Sequence, residues 1–91
     1  MLRLELEGDD PGDLLVHWLN TVLLEAEIGR AVWSRATLHA LGERTLDATL
    51  EGSRLDPSRH VRLREIKAVS HHDLVLVLDP PDCRCRLVLD I

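Results

Sequence analysis

The apolar residues Leu14, Leu15, Trp18, Leu19, Val22, Leu23 and Ala26 recur at spacings of three and four. That spacing winds them into one continuous stripe on an α-helix and on no other regular structure. A helix striped in this way must bury its apolar side against another layer, so its partner elements have to come from the rest of the chain. Asp9 and Asp10 ahead of Pro11 mark its start, because a carboxylate accepts the orphan amides of a helix N-terminus and proline suits the first turn. Gly29 closes it. Asp13, His17, Asn20, Glu25 and Glu27 lie mostly off the stripe and are expected to face solvent.

The remaining periodic segments read as strands. Leu2, Leu4 and Leu6 alternate with Arg3, Glu5 and Glu7, the pattern of a strand with one buried face, ending at Gly8. Ala31 to Leu41 and Thr45 to Glu51 predict a hairpin turning at Gly42, Glu43 and Arg44. Gly52 to Arg59, with Pro57 inside it, reads as a surface loop. Arg64 to Ser70 predicts a short strand and Asp73 to Leu78 another. A turn at Asp79, Pro80, Pro81 and Asp82 then leads into a final strand from Cys83 to Asp90. If that turn sets the register, Leu74 stands opposite Leu87, Leu76 opposite Cys85 and Leu78 opposite Cys83, forming an apolar face. The other face then carries Val75 opposite Arg86, Val77 opposite Arg84 and His71 opposite Asp90, and function in this region belongs to that half-polar side. The expected fold is α+β, with one long amphipathic helix packed on a mostly antiparallel sheet of five or six strands, in a single domain over residues 1–91.

Composition narrows the function classes. A chain of 91 residues buries only about 60 to 65% of its unfolded surface, so stability is marginal. Its core is aliphatic, since Trp18 and Trp33 are the only aromatic residues. A net charge of −5 opposes sequence-independent binding to phosphate backbones, and two Trp make a poor base-stacking platform. Direct binding of nucleic acid is therefore not expected, and the charge suits docking on a basic protein surface or plain solubility. No segment reaches the about 20 apolar residues of a membrane span and the N-terminus lacks a signal-peptide core, so a cytoplasmic location is expected. Cys83 and Cys85, two apart on one strand, are expected to be reduced and buried as small apolar residues.

Few residues offer chemistry. Phosphate-loop, nucleophile-elbow and paired-histidine motifs are missing from the sequence, so no catalytic residue is assigned. Lys67, the sole lysine, sits in an apolar strand context and reads either as a charge that guards a sheet edge or as a contact residue. His71 and His72 with Cys83 and Cys85 suggest zinc by ligand type, but the expected register separates the pairs by several residues of about 3.3 Å rise each. Asp47, Glu51 and the charges from Arg54 to Arg64 read as solvated.

Three separated signatures carry a resemblance. The segment Glu65, Ile66, Lys67, Ala68, Val69, Ser70, His71, His72, the chain end Val88, Leu89, Asp90, Ile91, and the helix run Asp13, Leu14, Leu15, Val16, His17, Trp18, Leu19, Asn20 occur in the order found in archease. Archease resembles them as I-K-A-V-T-Y-H, a terminal Asp-Ile and L-L-x-x-W-L-N. Ser70 stands for the family's Thr and His71 for its Tyr. Archeases generally begin with a further strand, helix and strand, and by that pattern this chain is expected to be N-terminally truncated.

The resemblance implies a non-catalytic protein cofactor that promotes guanylylation and turnover of an RtcB-type RNA ligase in tRNA splicing or RNA repair. It also implies a divalent-metal site of calcium type, of which Asp90 and Ile91 match one half. The other half is an early Asp in the segment this chain lacks, so binding is expected to be weak. Lys67, His71 and His72 are the candidates for contact with the ligase. Two other readings are a metal-dependent enzyme built on His71, His72 and Asp90, and a truncated, inactive module that persists as a homo-oligomer.

Overall fold

The computed structural model describes residues 1–58 and 66–91. Arg59, Arg64 and Glu65, which fall in the expected loop and strand, lie outside the described residues.

The helix α1, Pro11–Gly29, begins as its sequence demands. The Asp10 carboxylate accepts the Asp13 N–H at 2.8 Å, and the Asp13 carboxylate in turn accepts the Asp9 N–H at 2.8 Å. One orphan donor of the helix, the Asp13 N–H, is thereby satisfied, and the Asp13 carboxylate fastens the residue ahead of the cap. At the far end the left-handed residue is Arg30, with φ 47°, one position beyond the expected stop at Gly29.

Three strands form one sheet in the order β1–β3–β2, with β1 at Leu2–Glu7, β2 at Ala31–Leu41 and β3 at Thr45–Arg54. All pairs are antiparallel, and the register sets Leu2, Leu4 and Leu6 opposite Leu50, Ala48 and Leu46. These residues make the inner face. Leu14 of α1 packs with Leu46 and Ala48, and Leu6 and Trp18 close around them. The central strand runs to Arg54 rather than stopping at Glu51, because Gly52 pairs with Trp33 where the two backbones come too close for any side chain.

The second sheet has two strands, β4 at Ala68–Asp79 and β5 at Asp82–Asp90. Five antiparallel strands thus accompany one helix, as expected for the α+β class, and they are divided between two sheets. Near the turn the register is the expected one: Leu76 faces Cys85, Leu78 faces Cys83, Val75 faces Arg86 and Val77 faces Arg84, around a cis bond between Pro80 and Pro81.

Beyond Val75 the expected register fails. The next pairs are Ser70 with Val88, Val69 with Leu89 and Ala68 with Asp90, so residues 71–74 all bulge opposite Leu87. Asp73, at φ 54°, takes the left-handed turn this requires. Among the described residues a single strand, Ala68–Asp79, runs through the bulge where two short strands were expected at Arg64 to Ser70 and Asp73 to Leu78, and His71 is displaced from its expected place opposite Asp90.

The helix has two working sides. Leu14 and Trp18 face the three-stranded sheet, whereas Asp13 and Asn20 meet β4 at His71 and Val69. Val16, only 1% exposed, lies outside the expected stripe.

Candidate functional site

Where β4 and β5 open away from their turn, the strands bring Lys67 and Asp90 together. The Lys67 N–H donates to the Asp90 carbonyl at 2.7 Å, and Ala68 pairs with Asp90. Asn20 holds this end of β4 in place from the helix. Its side-chain amide donates to the Val69 carbonyl at 2.9 Å, and its side-chain oxygen accepts the Val69 N–H at 2.7 Å. Val69 is buried, while Lys67, Asp90 and Ile91 are exposed. A strand buried at one residue therefore delivers a cation and an anion to solvent within two residues.

His71 and His72 sit apart from that tip. Nε2 of His71 lies 2.8 Å from Oδ1 of Asp13 at the start of the helix. His72 lies 3.3 Å from the Asp73 carboxylate, and its backbone N–H donates to the Ser70 hydroxyl at 2.9 Å. The sequence reading placed His71 against Asp90. The bulge overturns that placement, since it takes up the residues that would have continued the register. The Asp13 carboxyl is held below its ordinary value, first by the Asp9 N–H and then by His71, both of which favour the charged form.

Cys83 and Cys85 are free, as expected, but both are exposed rather than buried. The physical reason is that β5 packs against no element except β4 among the described residues. Among the described residues no three His, Cys, Asp or Glu side chains converge on a point.

Reasoning from the sequence missed the role of Asn20 and Asp13, both of which were expected to be solvated. An amide in the middle of a helix was the available signal, because Asn is a weak helix former and is better placed where it has a partner. Asp47 was also expected to be solvated. It forms a two-pronged ion pair with Arg3 at 2.7 and 3.1 Å, which ties β1 to β3 on the outer face.

The model of the Archease protein family (MTH1598/TM1083) matches residues 1–91. The chain belongs to the archease family. A comparison with curated proteins gave no match. Membership of the archease family supports a role as a cofactor or activator protein in RNA processing, with an RNA-ligase-type partner and no catalysis of its own. Among the described residues no helix is long and apolar enough to cross a membrane.

The divalent-metal site that the archease resemblance implies can be weighed against the donors present. Asp90 and the Ile91 carboxylate are hard oxygen donors of the right kind. Calcium takes about six to eight oxygens, and among the described residues Asp90 belongs to no group of three or more His, Cys, Asp and Glu side chains that could hold a metal ion. The residues at the tip do not fit a self-sufficient cation site.

Proposed function

We propose that this archease is a non-catalytic protein cofactor of an RtcB-type RNA ligase and promotes its guanylylation and turnover in tRNA splicing or RNA repair. The match of the archease family model over residues 1–91 carries this reading. The exposed tip of Lys67, Asp90 and Ile91 supports it, since Lys67 and Asp90, joined through their backbones, put residues of opposite charge at one end of a hairpin that a partner's pocket can admit. Charged groups of this kind act by meeting complementary groups of the partner, here those around its nucleotide, and they need no bond chemistry of their own. A calcium-type ion at Asp90 and Ile91 would draw most of its ligands from water or from the ligase, so no step is assigned to it.

The alternative of a metal-dependent enzyme on His71, His72 and Asp90 loses its geometry, since His71 is turned toward Asp13 and Asp90 pairs with Ala68.

The deciding experiment is multiple-turnover RNA ligation by a purified RtcB-type ligase, with and without this protein. Added protein is expected to raise the number of turnovers, and Asp90→Ala is expected to abolish the gain while leaving the circular dichroism spectrum unchanged. A folded wild-type protein that leaves turnover unaltered would overturn the function, and full stimulation by Asp90→Ala would overturn the role of the tip.

A further inference from the structure

The β4–β5 hairpin carries two cations on one face, set among apolar side chains. Arg84 and Arg86 occupy alternate positions of β5, so both stand on the same side of the sheet, with Cα atoms about 6.6 Å apart. Their cross-strand neighbours are Val77 and Val75, where a carboxylate would be the natural partner of a guanidinium. Both arginines are exposed, and neither has an ion-pair partner among the described residues. Together with Val75, Val77 and Cys85 they line an open hollow of about 310 Å³.

The lining decides what fits. Guanidinium groups bind carboxylate or phosphate, and the two valines beside them favour an apolar side chain over a sugar or a base. The only aromatic residues, Trp18 and Trp33, lie on α1 and β2, so this face has no ring on which a base could stack. The flanking charges limit the length of the anion. Asp82 and its cross-strand neighbour Asp79 share the face next to Arg84, and Asp90 shares it four residues beyond Arg86. A polyanion laid along the strand would meet carboxylates within about 7 Å of Arg84 and about 13 Å of Arg86. A segment with two carboxylates at the spacing of the arginines meets only the cations. Local charges govern such a contact, since salt screens more distant ones beyond about 8 Å.

We propose that the hollow at Arg84 and Arg86 is a docking site for a short segment of a partner protein in which two closely spaced carboxylates sit beside apolar side chains. The carboxylates take the guanidiniums, and the apolar groups cover Val75 and Val77. The site is separate from the tip, because Lys67 and Asp90 meet at the end of the hairpin away from the turn. The hairpin can therefore hold this segment near its turn while the tip stays uncovered.

The test is fluorescence anisotropy with the full chain and a labelled peptide in which Glu and Val alternate. The peptide is expected to bind, and to bind about tenfold more weakly when Gln replaces its Glu. Arg84→Ala combined with Arg86→Ala is expected to cause a similar loss. Arg84→Lys combined with Arg86→Lys keeps the charge but not the two-pronged geometry, and is expected to lose less. Amide chemical shifts of the wild-type chain give a reading that does not depend on any variant folding. The peptide is expected to shift Val75, Val77, Arg84 and Arg86 and to leave Leu4 and Asn20 unmoved. Absence of binding, equal affinity for the Glu and Gln peptides, full binding by the double Ala variant, or shifts centred elsewhere would overturn the proposal. So would a single-stranded RNA oligonucleotide that displaces the labelled peptide at a lower concentration than the unlabelled peptide does. None of these measurements involves a ligase, so failure here and failure of the proposed function are told apart.

Discussion

Asn20 and Val69 are joined by two hydrogen bonds, at 2.9 and 2.7 Å, in which the helix side chain occupies both the donor and the acceptor of one strand residue. The amide thus stands where a neighbouring strand would otherwise be. It fastens the two-stranded sheet to the helix, one residue from Ala68 and two from Lys67, and so sets where the tip lies relative to the body of the protein.

Replacing that amide leaves two backbone groups of a buried residue without partners. Asn20→Ala is expected to lower unfolding stability by about 2 kcal/mol, within the usual range for unsatisfied buried polar groups. Asn20→Asp is expected to do no better, since a carboxylate cannot donate to the Val69 carbonyl. Urea denaturation followed by tryptophan fluorescence measures both, and a loss indistinguishable from zero for Asn20→Ala would show that the clamp does not hold the hairpin.

The Asp13 carboxyl is lowered from its ordinary value of 3.8, chiefly by the Asp9 N–H and next by His71. A carboxyl that is more acidic in the folded state contributes stability above its unfolded value. That contribution disappears as pH falls through the folded value. The melting temperature of the wild type is therefore expected to drop below pH 3.8 more steeply than that of Asp13→Asn. Parallel melting profiles for the two proteins across that acidic range would remove Asp13 from the account.

Gly52 faces Trp33 across β3 and β2, and a Cβ there would lie 2.8 Å from the Trp33 Cα and closer still to the Val32 carbonyl. Because the obstruction is backbone rather than a side chain that could rotate away, Gly52→Ala is expected to cost about 1 to 3 kcal/mol. Gly29, with open space around it, serves as the control, and Gly29→Ala is expected to be neutral or mildly stabilising. Equal melting temperatures for the two variants would contradict the close approach.

Lys67 reaches Asp90 through its backbone N–H, a bond that any residue but proline can make. Its ammonium is exposed, so Lys67→Ala is expected to change stability by less than about 0.5 kcal/mol. If the side chain meets an anionic group of the ligase, its loss removes one charge-assisted contact. The concentration of protein needed for half-maximal stimulation should then rise about tenfold. Titration of Lys67→Ala in the ligation assay checks this, and an unchanged curve would confine Lys67 to guarding the strand end.

How much of this could be read from residues alone follows the range of the interactions concerned. The helix, its Asp10 cap, the strand at Leu2–Glu7 and the hairpin of Ala31–Leu41 with the strand from Thr45 as far as Glu51 were legible, because each rests on periodicity or on turn chemistry between close neighbours. The pairs Leu76 with Cys85 and Leu78 with Cys83 were legible for the same reason, since a short turn leaves little freedom of register next to it.

Tertiary contacts decided the rest. That β1 pairs with β3 rather than with its neighbour in the chain, and that five strands divide into two sheets, depends on which faces the helix can cover. The bulge at residues 71–74 arises where His71 meets Asp13 and Asn20 holds Val69, partners 58 and 49 residues away. Local spacing carries no information about such distant partners, so it put His71 beside Asp90. A register propagates from a turn only until a long-range hydrogen bond offers the strand a better alternative. In this protein that point falls between Val75 and Ser70, just short of the residues where function is proposed.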